Sequence, residues 1–134
     1  MKASLRTLDR NTYYAVQSTP HKMPLSITEW YMDYPDPSDF VVALVGRSNA
    51  VNGGMNNPFW WSPRIEQLLV TSSSLPAQQR YAAYTQMQRV IMANAPYATL
   101  FQPVMTSMCS KATGGFFLSP CGYWYDLADY WRRQ

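Results

Sequence analysis

The sequence predicts an α/β fold, and three observations carry that reading. Segments with the composition of strands alternate with helical patterns, the first three in the order strand, helix, strand. Two helical stripes then follow one another, each opened by a serine and a proline. The 47% hydrophobic share of 134 residues is that of one globular domain and excludes a disordered tail.

The elements follow in order. Lys2 to Leu8 alternates imperfectly between apolar and polar side chains and reads as a short strand. Asp9 is placed to cap a helix over 10–17, which the Ser18-Thr19-Pro20 breaker ends. Pro24 to Met32, rich in Ile, Thr, Trp and Tyr, reads as the next strand, so the opening third predicts a βαβ unit with a right-handed crossover. The prolines of Asp33-Tyr34-Pro35-Asp36-Pro37 remove two amide donors and make a rigid loop at that strand's carboxyl end. Ser38 is the expected cap of a helix across Asp39 to Val45, closed by Gly46, and 48–58 is a polar, glycine-rich loop.

Ser62-Pro63 opens a helix to about Ser73 with Ile65, Leu68 and Leu69 at helical spacing. Ser74 and Pro76 open a longer one that Pro96 closes, with Tyr81, Tyr84, Met87, Val90 and Ile91 as its core stripe. Tyr97 to Cys109 turns to extended composition interrupted by Pro103, followed by the Gly114-Gly115 turn, a short strand at Phe116 to Leu118 and the aromatic-dense Gly122-Tyr123-Trp124-Tyr125-Asp126.

Composition narrows the function. Charged residues, at 14%, lie well below the usual quarter while aromatics reach 15%, so some of the five Trp and ten Tyr should line a cleft or meet a partner. The eleven Lys and Arg are spread singly except for Arg132 and Arg133, and without a basic stripe the net charge of +3 gives no expectation of nucleic-acid binding. The run Phe40 to Val45 is far short of the ~20 apolar residues that cross a bilayer, and Met1 to Arg6 has no apolar stretch behind its charges to make a secretory signal.

Catalysis has little to stand on. His21 lies in the turn Pro20-His21-Lys22 with no serine or cysteine elbow beside it, and two cysteines with one distant histidine cannot complete a tetrahedral zinc site. No enzyme activity, metal or cofactor is expected. Asp33, Asp36 and Asp39 recur at a spacing of three, with Asp36 between its prolines suited to turn geometry. Cys109 and Cys121 flank the glycine turn, a separation that a hairpin could close as a disulfide or that could hold two unpaired buried thiols.

The segment Trp30-Tyr31-Met32-Asp33-Tyr34-Pro35-Asp36-Pro37-Ser38-Asp39-Phe40 resembles the aspartate and proline signature of the family 5 extracellular solute-binding proteins, the dipeptide, oligopeptide and nickel receptors of ABC importers. Trp61-Ser62-Pro63 before Ile65-Glu66-Gln67-Leu68-Leu69, then Arg80, Tyr84, Gln88 and Pro96, are similar to the family in type and spacing, although Glu66 stands where the family usually has Asp.

The resemblance covers nearly the whole chain but only the last quarter or so of such a receptor. It implies a partial lobe of the type II periplasmic-binding-protein kind, a mixed sheet with flanking helices. Residues 1–102 would be the later part of the second lobe and 103–134 the closing strands that return to the first, crossing near Gln102 and Pro103. The chain would then be a single unit beginning as a fragment or split gene product.

The implied function is binding of a peptide or similar small amine-bearing ligand for ABC-type import, with the importer's membrane subunits as partners and a periplasmic or extracytoplasmic location. Asp33 matches the aspartate that receives the ligand's α-ammonium group, Trp30 a tryptophan near the bound ligand, and Tyr34 completes the ligand-binding set. Read from the residues alone, Trp30 serves equally as strand core and Asp33 as a turn cap. Outside the cytoplasm, the pairing of Cys109 with Cys121 would persist. A second expectation is a ligand-free interaction fragment that completes a split receptor or self-associates, through the segment after Pro96 and the tail Tyr123-Trp124-Tyr125.

Overall fold

Among the described residues, four α-helices, α1 (Arg10–Gln17), α2 (Ser38–Val45), α3 (Pro63–Ser72) and α4 (Ala77–Asn94), precede one antiparallel ladder of β1 (Thr113–Gly114) with β2 (Trp131–Arg132) in a small domain of α/β type. The computed structural model describes residue 2, residues 4–119, residue 121 and residues 127–132. No helix among the described residues is long and apolar enough to cross a membrane.

Local chemistry accounts for the helix ends. The Asp9 side chain accepts the Thr12 amide at 3.1 Å and starts α1, and the Ser18 amide and hydroxyl fall back on the Tyr14 carbonyl at 3.0 and 2.8 Å to end it. Before α2 the capping oxygen is Asp36 Oδ1, which accepts the Ser38 amide at 2.8 Å, so Ser38 is the first helical residue rather than the cap. Pro63 sits at the first position of α3, where a missing N–H costs nothing. Ala95 leaves α4 in the left-handed region at φ 46°, and Pro96 forbids a restart.

The core joins the end of α2 to α3 and to the middle of α4. Val45, Ile65, Leu68, Ala83, Tyr84 and Met87 are buried together, with Val41, Trp60 and Ile91 packed around them. The Tyr97 hydroxyl donates to the Leu44 carbonyl at 3.1 Å and closes this core over α2. Ala83, Tyr84 and Met87 define the buried axis of α4, which leaves Tyr81 at its margin, 58% exposed, instead of in the core.

The loop after α2 is held from inside. Asn56 is fully buried, its Nδ2 donating to the Gly46 carbonyl at 3.1 Å and to the Trp60 carbonyl at 2.7 Å. A Cβ on Gly54 would stand 2.1 Å from the Asn49 carbonyl oxygen, so the chain passes there only as glycine. The Gly53 amide reaches the Ser18 carbonyl at 2.9 Å and ties the loop to α1.

The sheet departs most from expectation. The described residues of 2–8 form no strand, nor do 24–32 or 116–118, and so no βαβ unit and no mixed sheet with flanking helices stands among the described residues. A strand is stabilised by the strand beside it, and Leu5, Leu25 and Ile27, at 98, 83 and 80% exposed, have none. The antiparallel pairing observed joins Thr113 to Arg132 and Gly114 to Trp131, two residues a side. The aromatic tail at 122–126 lies outside the described residues.

Candidate functional site

The loop from Trp30 to Asp39 collects the three residues singled out for ligand binding, and its geometry turns on a fourth. Asp39, in the first turn of α2, is 4% exposed, and its Oδ2 accepts both the Trp30 indole N–H at 2.9 Å and the Asp33 backbone N–H at 3.1 Å. Its charge sits at a helix N-terminus, where the backbone dipoles favour an anion. One buried carboxylate therefore fixes the ring of one candidate and the backbone of another.

A second clamp works from the other side. Arg80 on α4 forks onto the Asp36 carboxylate, Nη2 donating to Oδ1 at 2.7 Å and Nη1 to Oδ2. The same guanidinium lies over the Tyr84 ring, 5.4 Å from its centre. Burial alone would push the Asp36 carboxyl up, but the bonds from Arg80 and Ser38 outweigh it and hold the group below its ordinary range. The proline loop is thus anchored to α2 by Asp39 and to α4 by Asp36.

Between these anchors the Asp33 side chain is exposed and has no hydrogen-bond or ion-pair partner among the described residues. Tyr34 is exposed beside it, its hydroxyl 3.0 Å from Ser38 Oγ. Trp30 is half-buried. Two of the three aspartates at a spacing of three thus have separate structural tasks while the Asp33 side chain has none, and no cluster of three or more His, Cys, Asp or Glu side chains suited to a metal forms among the described residues. Cys109 is exposed, Cys121 is half-buried, and both are free thiols.

Two of these residues carried weaker signals in the sequence. Asp39 is the one acid within the apolar helix Ser38–Val45, which marks it as an exception that needs a partner. Arg80 had no local signal, because its partner lies 44 residues away. A shallow cleft of about 310 Å³ lies elsewhere, lined by Tyr13, Tyr14, Ile27, Thr28 and Glu29, and contains none of the candidate residues. Compared with protein-family models, with curated proteins and with solved structures, the chain matches none.

Proposed function

We propose that this chain supplies one wall of a solute-binding cleft for ABC-type import, taking a peptide or similar small amine-bearing ligand and performing no chemistry on it. In this reading the Asp33 carboxylate receives the ligand's ammonium group, Trp30 offers a flat apolar wall and Tyr34 a hydroxyl. The chain is the later part of a second lobe, with residues from 103 onward returning to a first lobe, in a receptor that works outside the cytoplasm beside the importer's membrane subunits. Cys109 and Cys121 could pair in that compartment.

The observation that supports the reading is the double anchoring of the loop around an uncommitted carboxylate. Asp39 and Arg80 satisfy the backbone and the neighbouring acid, while Asp33 keeps its charge free. A loop backbone fixed before the ligand arrives lowers the ordering cost of binding. The resemblance of Trp30 to Phe40 to the solute-binding signature supplies the ligand class.

Titration of the chain with short peptides, followed by the Trp30 indole N–H resonance and the Asp33 amide resonance, tests it. Free-amine peptides such as triglycine should shift both signals at millimolar concentration, and N-acetylated peptides should not. Asp33→Asn should weaken the effect up to about fivefold, since an ion pair at an exposed carboxylate is worth about 0.2–1 kcal/mol. Equal responses to free and acetylated peptides, or no response at Asp33, would overturn the assignment.

A further inference from the structure

Asparagine is followed by glycine once in this chain, at Asn52-Gly53 in the loop between α2 and α3. The Gly54 amide donates to the Val51 carbonyl at 2.9 Å, which makes Asn52 and Gly53 the central residues of a turn, and Gly53 at φ 79° has the conformation of the second central residue of a type II turn. A Cβ on Gly53 would meet nothing within 4 Å, so no neighbouring atom shields the peptide nitrogen on that side. Asn52 is exposed, and its side-chain amide has no partner among the described residues. The other asparagines are held or blocked. Asn49 donates to the Val42 carbonyl at 3.0 Å, Asn94 to the Val90 carbonyl at 2.8 Å, and buried Asn56 to two carbonyls. Asn11 lies within α1, and Asn57 precedes Pro58, which has no N–H to lose.

We propose that Asn52 is a site of spontaneous deamidation through a cyclic imide, and that the hold of α1 on the Gly53 amide sets its rate. The Gly53 peptide nitrogen loses its proton to solvent base and attacks Asn52 Cγ, whose bond to Nδ2 breaks. Ammonia leaves, taking its added proton from water. The five-membered imide then takes up water at either carbonyl and opens to aspartate or to the β-linked isomer, so one water is consumed and one ammonia released.

In the folded chain that nitrogen is engaged. The Gly53 N–H donates to the Ser18 carbonyl at 2.9 Å, so its proton is withheld from base and its peptide plane is kept from turning toward Cγ. Ser18 ends α1 beside Gln17, which is 4% exposed and whose Nε2 donates to the Tyr13 hydroxyl at 2.8 Å and to Ser26 Oγ at 3.1 Å. Helix α1 has eight residues and supplies none of the side chains of the apolar core, so it can open while the rest stays folded. Reaction at Asn52 therefore records how often α1 lets go. Either product puts a negative charge into 48–58, which has no charged residue, and the β-linked one also lengthens the main chain inside the turn, so the tie to Ser18 is lost for good.

This inference does not rest on the ligand reading, and its test leaves Asp33 intact. The chain is incubated in mildly alkaline buffer, native and in urea, and each asparagine is followed by mass spectrometry of its proteolytic peptides. Asn52 should convert before any other asparagine, at least about tenfold faster in urea than in the native chain, where α1 must first open. Gln17→Ala removes the buried amide that anchors α1. It should speed conversion of native Asn52 about fivefold, the equivalent of about 1 kcal/mol of lost hydrogen bonding, with conversion at Asn94 and melting of the helical core unchanged. Conversion of another asparagine ahead of Asn52 would overturn the proposal, as would equal rates in urea and in the native chain. So would a Gln17→Ala rate no faster than the native one, or an equal acceleration at Asn94, which would mean that the whole chain opens rather than α1 alone.

Discussion

The stretch from Ser38 to Tyr97 and the stretch from Ala98 to Ala112 have similar shares of apolar residues, about half in each, and opposite fates. In the first, Ile65, Leu68, Tyr84 and Met87 recur every three or four positions, so a helix can gather them on one side before any distant contact forms. In the second, Leu100, Phe101, Val104, Met105 and Met108 point nowhere in common along a chain that Pro103 interrupts, and all stand exposed. Apolar content alone does not make a core. A period that a local element can use does.

The largest expected effect cuts the first stretch. Met87 is fully buried between α3 and α4, so Met87→Ala should cost about 2–5 kcal/mol of unfolding free energy in urea, through lost transfer energy and an unfilled cavity. At low concentration, Leu100→Ala should change stability by less than about 0.5 kcal/mol, since an exposed side chain leaves no cavity. Equal losses at both positions would erase the distinction between the two stretches.

A smaller effect sharpens the comparison inside the folded part. Asp39→Ala removes the acceptor of the Trp30 indole N–H and the Asp33 amide, both part-buried, and should cost about 1 kcal/mol, the lower end of the 1–3 kcal/mol of a fully buried unpaired donor. The Trp30 indole N–H resonance should move to a solvent-exposed position while α3 and α4 keep their exchange protection. An unchanged resonance would mean that Asp39 does not hold the ring.

The smallest effects come from pH. The Asp36 carboxyl titrates below its unfolded value, so its contribution is complete above the unfolded pKa, about 3.9, and is lost as pH falls through the folded one. Burial pushes the Tyr97 hydroxyl up to about 12, so its contribution is complete below the unfolded pKa, about 10, and is lost as pH rises through the folded value. Urea midpoints should therefore decline at both extremes. Asp36→Asn should flatten only the acid limb, and Tyr97→Phe only the alkaline one.

How much was legible follows the same division. The helices were readable because their signals are near neighbours: Asp9 three residues before the amide it caps, Ser62 beside Pro63, Pro96 just past α4. The strands were not, because residues such as Leu25 and Ile27 state a preference that only a partner can fulfil. Trp30, Asp33 and Tyr34 were singled out together through the resemblance of their segment, and Asp36, Asp39 and Arg80 stood in the same resemblance without their holding roles being legible. Asn56 was hidden for another reason, since in a loop that also holds Asn49, Asn52 and Asn57 nothing local tells which one turns inward.

The short ladder at the chain's end has a consequence for the freedom of what it encloses. Joining Gly114 to Trp131 ties off a loop of sixteen residues, and bringing the ends of such a loop together costs about 2.5 kcal/mol plus a constant in lost chain entropy. The Phe116 and Tyr130 rings, 5.8 Å between centres, the two ladder pairs and the Trp131 ring all help to meet that cost. The Trp131 ring can contribute because it occupies the space a side chain would need: a Cβ on Gly114 would stand 2.2 Å from the Trp131 indole. The closure thus depends on bare backbone at two successive positions, since a Cβ on Gly115 would stand 1.8 Å from the Asp129 carbonyl oxygen.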